Sequence, residues 1–221
     1  IFDSNSNKLV AVYADDVDYD YGKVKVGTVS GLSITWGSAY TFEGSVGARH
    51  ISAAFDSNSN KVVIAYADAS DSNDSQSVVG TVSSNTITYG TKAVCSDDSI
   101  RYSRMVFDSP NNKVVLIYND YGNSSYGTAR VGTVSGTTIS WGTEVVFESA
   151  STDSMAIDFD SSAGKVVIAY RDNGNSWYLT YIVGTVSGTT ISFGTPGVIN
   201  SINPGDKGVA ATYDSNSNKT V

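Results

Sequence analysis

Phe2-Asp3-Ser4-Asn5-Ser6-Asn7-Lys8 decides the fold, because the same heptad stands at Phe55 to Lys61 and variants of it stand at Phe107 to Lys113, Phe159 to Lys165 and Tyr213 to Lys219. The aromatic residues that open these copies, Phe2, Phe55, Phe107, Phe159 and Tyr213, lie 53, 52, 52 and 54 residues apart. A fixed period of this length marks one supersecondary unit stacked on copies of itself. The repeats run over 2–54, 55–106, 107–158 and 159–212, with a partial fifth over 213–221.

Each period holds four segments that read as strands from their β-branched content and from the turn residues between them. The first ends in the marker: His50 to Asp56, Ser103 to Asp108, Met155 to Asp160 and Gly208 to Asp214. The second covers Lys8 to Asp15, Lys61 to Asp68, Lys113 to Asp120 and Lys165 to Asp172. The third is built on Val26 to Val29, Val79 to Val82, Val131 to Val134 and Ile182 to Val186, and the fourth ends in Trp36, Tyr89, Trp141 or Phe193. Asx residues between the first two segments tolerate left-handed geometry and bond to their own backbone, so that connection reads as a tight hairpin, as does Ser-Gly-Thr-Thr between the last two.

Four hairpin-linked antiparallel strands repeated about every 52 residues describe a propeller blade. The expected fold is all-β: a β-propeller of four four-stranded blades, circularly offset so that the C-terminal strand Gly208 to Asp214 completes the first blade. Lys61 to Tyr66 is apolar on both faces, as a sheet packed between two neighbours requires. The aromatics ending each fourth strand are expected to pack between blades, and Gly37, Gly90, Gly142 and Gly194 to mark a bend or bulge. Residues 1–10 and 213–221 are overlapping copies of one hairpin. The chain is therefore expected to be a piece of a longer repeat protein, and a larger propeller or two chains sharing a ring fits the same pattern.

The 221 residues carry a net charge of −8, with a pI of about 4.4. Nucleic acid and anionic membrane surfaces would meet this chain with repulsion, so neither is expected as a partner. No segment approaches the roughly 20 apolar residues of a membrane-spanning helix, so membrane insertion is not expected. One cysteine, Cys95, forbids an intrachain disulfide.

The hairpins repeat almost unchanged, whereas the connections from second to third strand vary: residues 15–21, 68–74, 120–126 and 172–178. Variable loops on one face of a repeated scaffold are where recognition concentrates. Each second strand ends Tyr-x-Asp, which makes Tyr13, Asp15, Tyr66, Asp68, Tyr118, Asp120, Tyr170 and Asp172, together with Trp177 in the last loop, the candidate ligand-binding set. A carboxylate beside an aromatic plane suits sugar recognition, and one weak site per blade would give avidity. The structural alternative is an Asp that caps the loop and a Tyr that packs between blades.

Asp15, Asp16, Asp18 and Asp20 offer the alternating oxygens that Ca²⁺ takes, without the Gly and terminal Glu of an EF-hand loop, so they form a weak metal candidate and no cofactor is expected. Zinc is disfavoured because His50 and Cys95 sit in different repeats. Catalytic arrangements are also weak. A triad would need His50, and the four equivalent aspartates lack the distinct environments that separate an acid from a base. Arg49, Arg101, Arg104 and Arg171 read as aperiodic and lie outside any sialidase-type Ser-x-Asp-x-Gly-x-Thr-Trp box.

The stretch Phe55 to Tyr66 and the stretch Val131 to Thr143 resemble tandem repeats of large uncharacterised surface or tail-fibre-like proteins of marine phages and bacteria. The resemblance covers the whole chain and brings no catalytic residue with it. It implies an extracellular, cell-surface or virion-associated role in binding and adhesion. The expected function is therefore non-enzymatic recognition of a glycan or cell-surface receptor. A homo-oligomeric structural unit joined through its terminal strands is the alternative, and a glycosidase-like enzyme is third.

Overall fold

A computed structural model describes the chain except residues 46, 70–73 and 206–207. Residues 1–99 with 134–140 form one compact unit, and residues 100–133 with 141–221 form a second.

In the first unit the opening repeat gives β1 (Phe2–Asp3), β2 (Lys8–Asp15), β3 (Tyr21–Ser30) and β4 (Ser33–Glu43), paired in that order as an antiparallel meander. The next repeat gives β5 (Ala48–Asp56), β6 (Lys61–Asp68), β7 (Ser75–Ser83) and β8 (Thr86–Tyr89), again in order, with β9 (Ala93–Ser96) returning to pair with β7. Val10, Val24, Val26 and Phe42 of the opening repeat share one core with Val62, Ile64, Tyr66, Val78 and Ile87 of the next. Apolar residues of two successive repeats thus bury each other, which neither sheet could achieve alone.

The second unit repeats this construction. Its strands are β10 (Ile100–Asp108), β11 (Lys113–Asp120), most of β12 (Tyr126–Ser135), the last residue of β13 (Thr138–Trp141), β14 (Val145–Asp160), β15 (Lys165–Asp172), β16 (Tyr178–Ser187), β17 (Thr190–Phe193) and β18 (Gly197–Asn200), while the end of β12 and the rest of β13 fall in the first unit. The 16-residue β14 pairs with β12 at its start and with β15 at its end, so it links two meanders. Val115, Ile117 and Val131 share a core with Met155, Ile168, Tyr170 and Ile182.

The second strands run over the residues expected of them, and β6 and β11 are buried from their second residue onward. The C-terminal segment departs from expectation. Among the described residues, β19 (Tyr213–Asp214) pairs only with β20 (Lys219–Thr220), and the first meander takes its outer strand from Phe2–Asp3. The backbone amide of Tyr213 donates to Asp158 of β14 at 2.5 Å, which holds the terminal hairpin against that strand. The closing strand expected for a completed first blade is therefore not in that position.

The marker heptad is an Asx turn. Asp56 Oδ1 accepts the amides of Asn58 and Ser59 at 2.9 and 3.0 Å, and its Oδ2 accepts the Ser59 hydroxyl at 2.6 Å. Asn7, Asn60, Asn112, Gly164 and Asn218 then take the left-handed position before the second strand, which is why Asn or Gly stands there. Asp56 is 1 % exposed. Asp56→Ala is expected to destabilise the chain by about 2 kcal/mol, read as a lowered urea midpoint, because two amides and a hydroxyl lose their acceptor.

Candidate functional site

Three connections from second to third strand share one backbone design. Each begins at an aspartate and ends with two successive non-glycine residues at positive φ: Tyr19 and Asp20 (53° and 60°), Ser124 and Ser125 (57° and 62°), Ser176 and Trp177 (57° and 64°). Such residues disfavour the left-handed region by about 1–2 kcal/mol each, so the loop needs its aspartate to hold it. Asp15 accepts the amides of Val17 and Asp18, Asp120 that of Asn123 at 3.2 Å, and Asp172 those of Gly174 and Asn175. Most of the corresponding second-repeat loop, residues 70–73, lies outside the described residues.

Asp68, Asp120 and Asp172 are 4–6 % exposed, and Tyr66, Tyr118 and Tyr170 are fully buried. The Tyr66 hydroxyl donates to Glu43 at 2.8 Å, that of Tyr118 to Glu144 at 2.7 Å, and that of Tyr170 to Glu148 at 3.1 Å. Tyr66 and Tyr170 also meet Phe42 and Phe147 edge-on, with centroids 5.2 and 5.3 Å apart. These six side chains of the candidate set knit the sheets together and leave no surface for a ligand.

The glutamates sit in contrasting surroundings. Burial alone would raise the Glu43 carboxyl, but Lys92, Ser45 and Tyr66 bring it down to about 2. Burial pushes Glu148 above its ordinary range, helped by the charge of Asp172, and burial likewise raises Asp172.

Tyr13 and Asp15 behave differently from their counterparts. Tyr13 is half-buried and lines a cleft of about 440 Å³ with Val12, Ala14, Asp20, Ala48, Arg49, His50 and Ile51. A β-bulge between Arg49 and Ser52, with His50 at φ 49°, shapes this stretch of β5. Asp15 and Asp18 hold the Lys23 ammonium at 2.8 and 2.6 Å, Asp20 lies 3.8 Å from Arg49, and Asp16 is exposed. Lys23 thus stands between two of the four carboxylates considered for Ca²⁺, and no group of three or more metal-ligating side chains occurs among the described residues.

In the second unit the equivalent bulges fall at Tyr102 (φ 51°) and Ser154 (φ 46°), following Arg101 and Asp153. Positions 49, 101 and 153 are therefore structural equivalents, so Arg49 and Arg101 are periodic after all. The Arg101 guanidinium lies 3.7 Å from the ring centre of Tyr121, which is 53 % exposed. Asp153 instead receives Arg171 through both carboxylate oxygens, and Arg171 stacks on Trp177 at 4.5 Å. An aromatic ring at the loop is thus fixed by a guanidinium in both repeats.

Compared with models of known protein families and with curated proteins, the chain matches none. Among the described residues no helix is long and apolar enough to cross a membrane.

Proposed function

We propose that the four repeats are blades of a β-propeller and that their second-to-third loops form a non-enzymatic recognition surface for glycans, displayed at a cell or virion surface. The observation that carries this reading is the cleft beside Tyr13. It combines an aromatic ring with Asp20, Arg49 and His50 over apolar walls of Val12, Ala14 and Ala48, and its volume lies within the range of small-ligand pockets. Sugar rings present apolar faces for an aromatic plane and hydroxyls for carboxylate, guanidinium and imidazole groups. Trp177 on Arg171 and Tyr121 on Arg101 supply further aromatic planes on loops whose backbone is already held in place, which limits the ordering cost of binding. The propeller reading is supported by the in-order antiparallel meanders and by cores shared between successive repeats.

The test is a glycan array followed by calorimetry on any ligand found. Tyr13→Ala and Arg49→Ala are each expected to weaken binding at least tenfold, about 1.4 kcal/mol, and Trp177→Ala to weaken it in the second unit. A silent array, or an affinity unchanged in all three variants, removes the reading.

A further inference from the structure

Two clusters of acidic groups are built from equivalent residues, each wholly within one unit. In the first unit Tyr66 donates to Glu43, and Asp68 follows two positions after the tyrosine; in the second Tyr170 donates to Glu148, and Asp172 follows in the same way. Burial first, and then the charges of the glutamate and the aspartate, raise both tyrosine hydroxyls, so the two carboxylates of each cluster act on one phenol. The clusters differ in their cation. The Lys92 ammonium pairs with Glu43, whereas Pro196 stands at the matching position beside Glu148. None of the ion pairs among the described residues involves Glu148 or Asp172.

The second cluster also holds an orphaned oxygen. Asp172 is 6 % exposed, and its Oδ1 has no hydrogen-bond partner among the described residues. A buried carboxylate oxygen left in this way is costly, and a bound ion is one of the few groups that offset the cost. The same oxygen lies beside the turn that Glu148 holds. A Cβ at Gly174 would be 3.2 Å from Asp172 Oδ1 and 2.6 Å from the Ala150 Cβ, and the Ala150 amide donates to Glu148 Oε1 at 3.1 Å. Each Glu148 oxygen accepts one hydrogen bond, from Ala150 or from Tyr170, and a carboxylate oxygen has a lone pair for a second partner. Glu43 is 1 % exposed but Glu148 only half-buried, so solvent reaches the second carboxylate where the first is covered.

We propose that Glu148 and Asp172 bind a calcium ion. Charge selects a divalent cation, because the ionised pair carries two negative charges and has no lysine of its own. The donors are oxygens, which hard cations take, and two carboxylates with water on the solvent side suit the flexible shell of Ca²⁺ better than the strict octahedron of Mg²⁺. Tyr170 holds Glu148 in place through its Oε2. Two carboxylates are fewer than the three or more side chains of a dedicated metal centre, so the site is weak, with a Kd of about 0.1–1 mM, the range of extracellular calcium modules. The ion would fasten β14 to the aspartate that opens the loop over 172–178. The site does not depend on the glycan reading, since neither carboxylate lines the cleft beside Tyr13.

Calorimetric titration of CaCl2 into the chelator-treated chain at neutral pH tests the site, with carboxyl NMR to locate the ion. One calcium per chain is expected, the Glu148 and Asp172 resonances moving together and both groups titrating at lower pH than in the metal-free chain. MgCl2 is expected to bind at least tenfold more weakly. Glu148→Gln should weaken calcium binding at least tenfold. Pro196 is exposed, so Pro196→Lys disturbs no packing, and it should abolish the binding by setting an ammonium where Lys92 has one. Absence of heat and of resonance shifts at about 10 mM CaCl2, above the expected Kd, would overturn the inference and leave protons alone to neutralise the pair. Calcium binding that is indifferent to both variants, or that leaves the two carboxyl resonances unmoved, would also overturn it.

Discussion

Gly142→Ala is expected to lower stability by about 3 kcal/mol, at the upper end of what overpacking a tight contact costs. The added methyl would sit 1.9 Å from the Thr189 carbonyl oxygen, a backbone atom that cannot swing away as a side chain can. The lower entropy of an unfolded chain bearing alanine returns only about 0.4–1 kcal/mol. Gly194 has the same local hydrogen bond as Gly142: their amides donate to Val183 and Val131 at 3.0 and 2.8 Å. Among the described residues a Cβ on Gly194 would meet nothing nearer than the Val183 carbonyl oxygen at 3.8 Å, so Gly194→Ala should be neutral or stabilise by about 0.5 kcal/mol. Urea midpoints at constant m-value measure both. Equal losses at the two glycines would mean that the residue is kept for its own backbone conformation and that the Thr189 carbonyl is not the cause.

The repeat and its second strands were legible because period, Asx turn and two-faced apolar runs are local signals: Lys61–Asp68 and Lys113–Asp120 start and stop where their residues say. The role of the glycines was half legible. A bend after Trp141 can be read from Gly142 alone, but the carbonyl of Thr189 that forbids a side chain there arrives from 47 positions later. The returning strands β9 and β18 escaped notice because Ala93–Ser96 and Gly197–Asn200, unlike the equally short β8 and β17, carry no motif that recurs in every repeat. The candidate site was blurred by the same symmetry that exposed the fold. Tyr13, Tyr66, Tyr118 and Tyr170 share the same Tyr-x-Asp context, yet Tyr13 lines a cleft while the other three are fully buried. Arg49, Arg101 and Asp153 share one bulge position, a periodicity hidden by a change of charge at the third copy and by Arg171 reaching it from the neighbouring strand.

Acid is expected to act in opposite senses on two equivalent glutamates. Glu43 and Glu148 each follow a phenylalanine and accept a buried tyrosine hydroxyl. Lys92 pairs with Glu43, while the position matching Lys92 beside Glu148 is Pro196, which has no charge. The folded state therefore holds Glu43 at about 2 against an ordinary value of 4.5. Its contribution is present above pH 4.5 and is lost as pH falls toward 2. Converted at 1.36 kcal/mol per pKa unit, that contribution is about 3 kcal/mol, so Glu43→Gln should remove stability of this order at neutral pH and flatten the acid limb. Glu148 is raised, so its ionised form is disfavoured in the folded chain at neutral pH, and the penalty fades as pH falls through its folded value. Glu148→Gln should consequently stabilise the chain at neutral pH, with a difference that shrinks on acidification. Pro196→Lys should convert one site into the other and bring Glu148 below its ordinary range, as followed by carboxyl NMR titration. A Glu148 titration indifferent to that substitution, together with a Glu43 titration indifferent to Lys92→Ala, would remove the lysine as the cause and leave the two sites distinguished by burial alone.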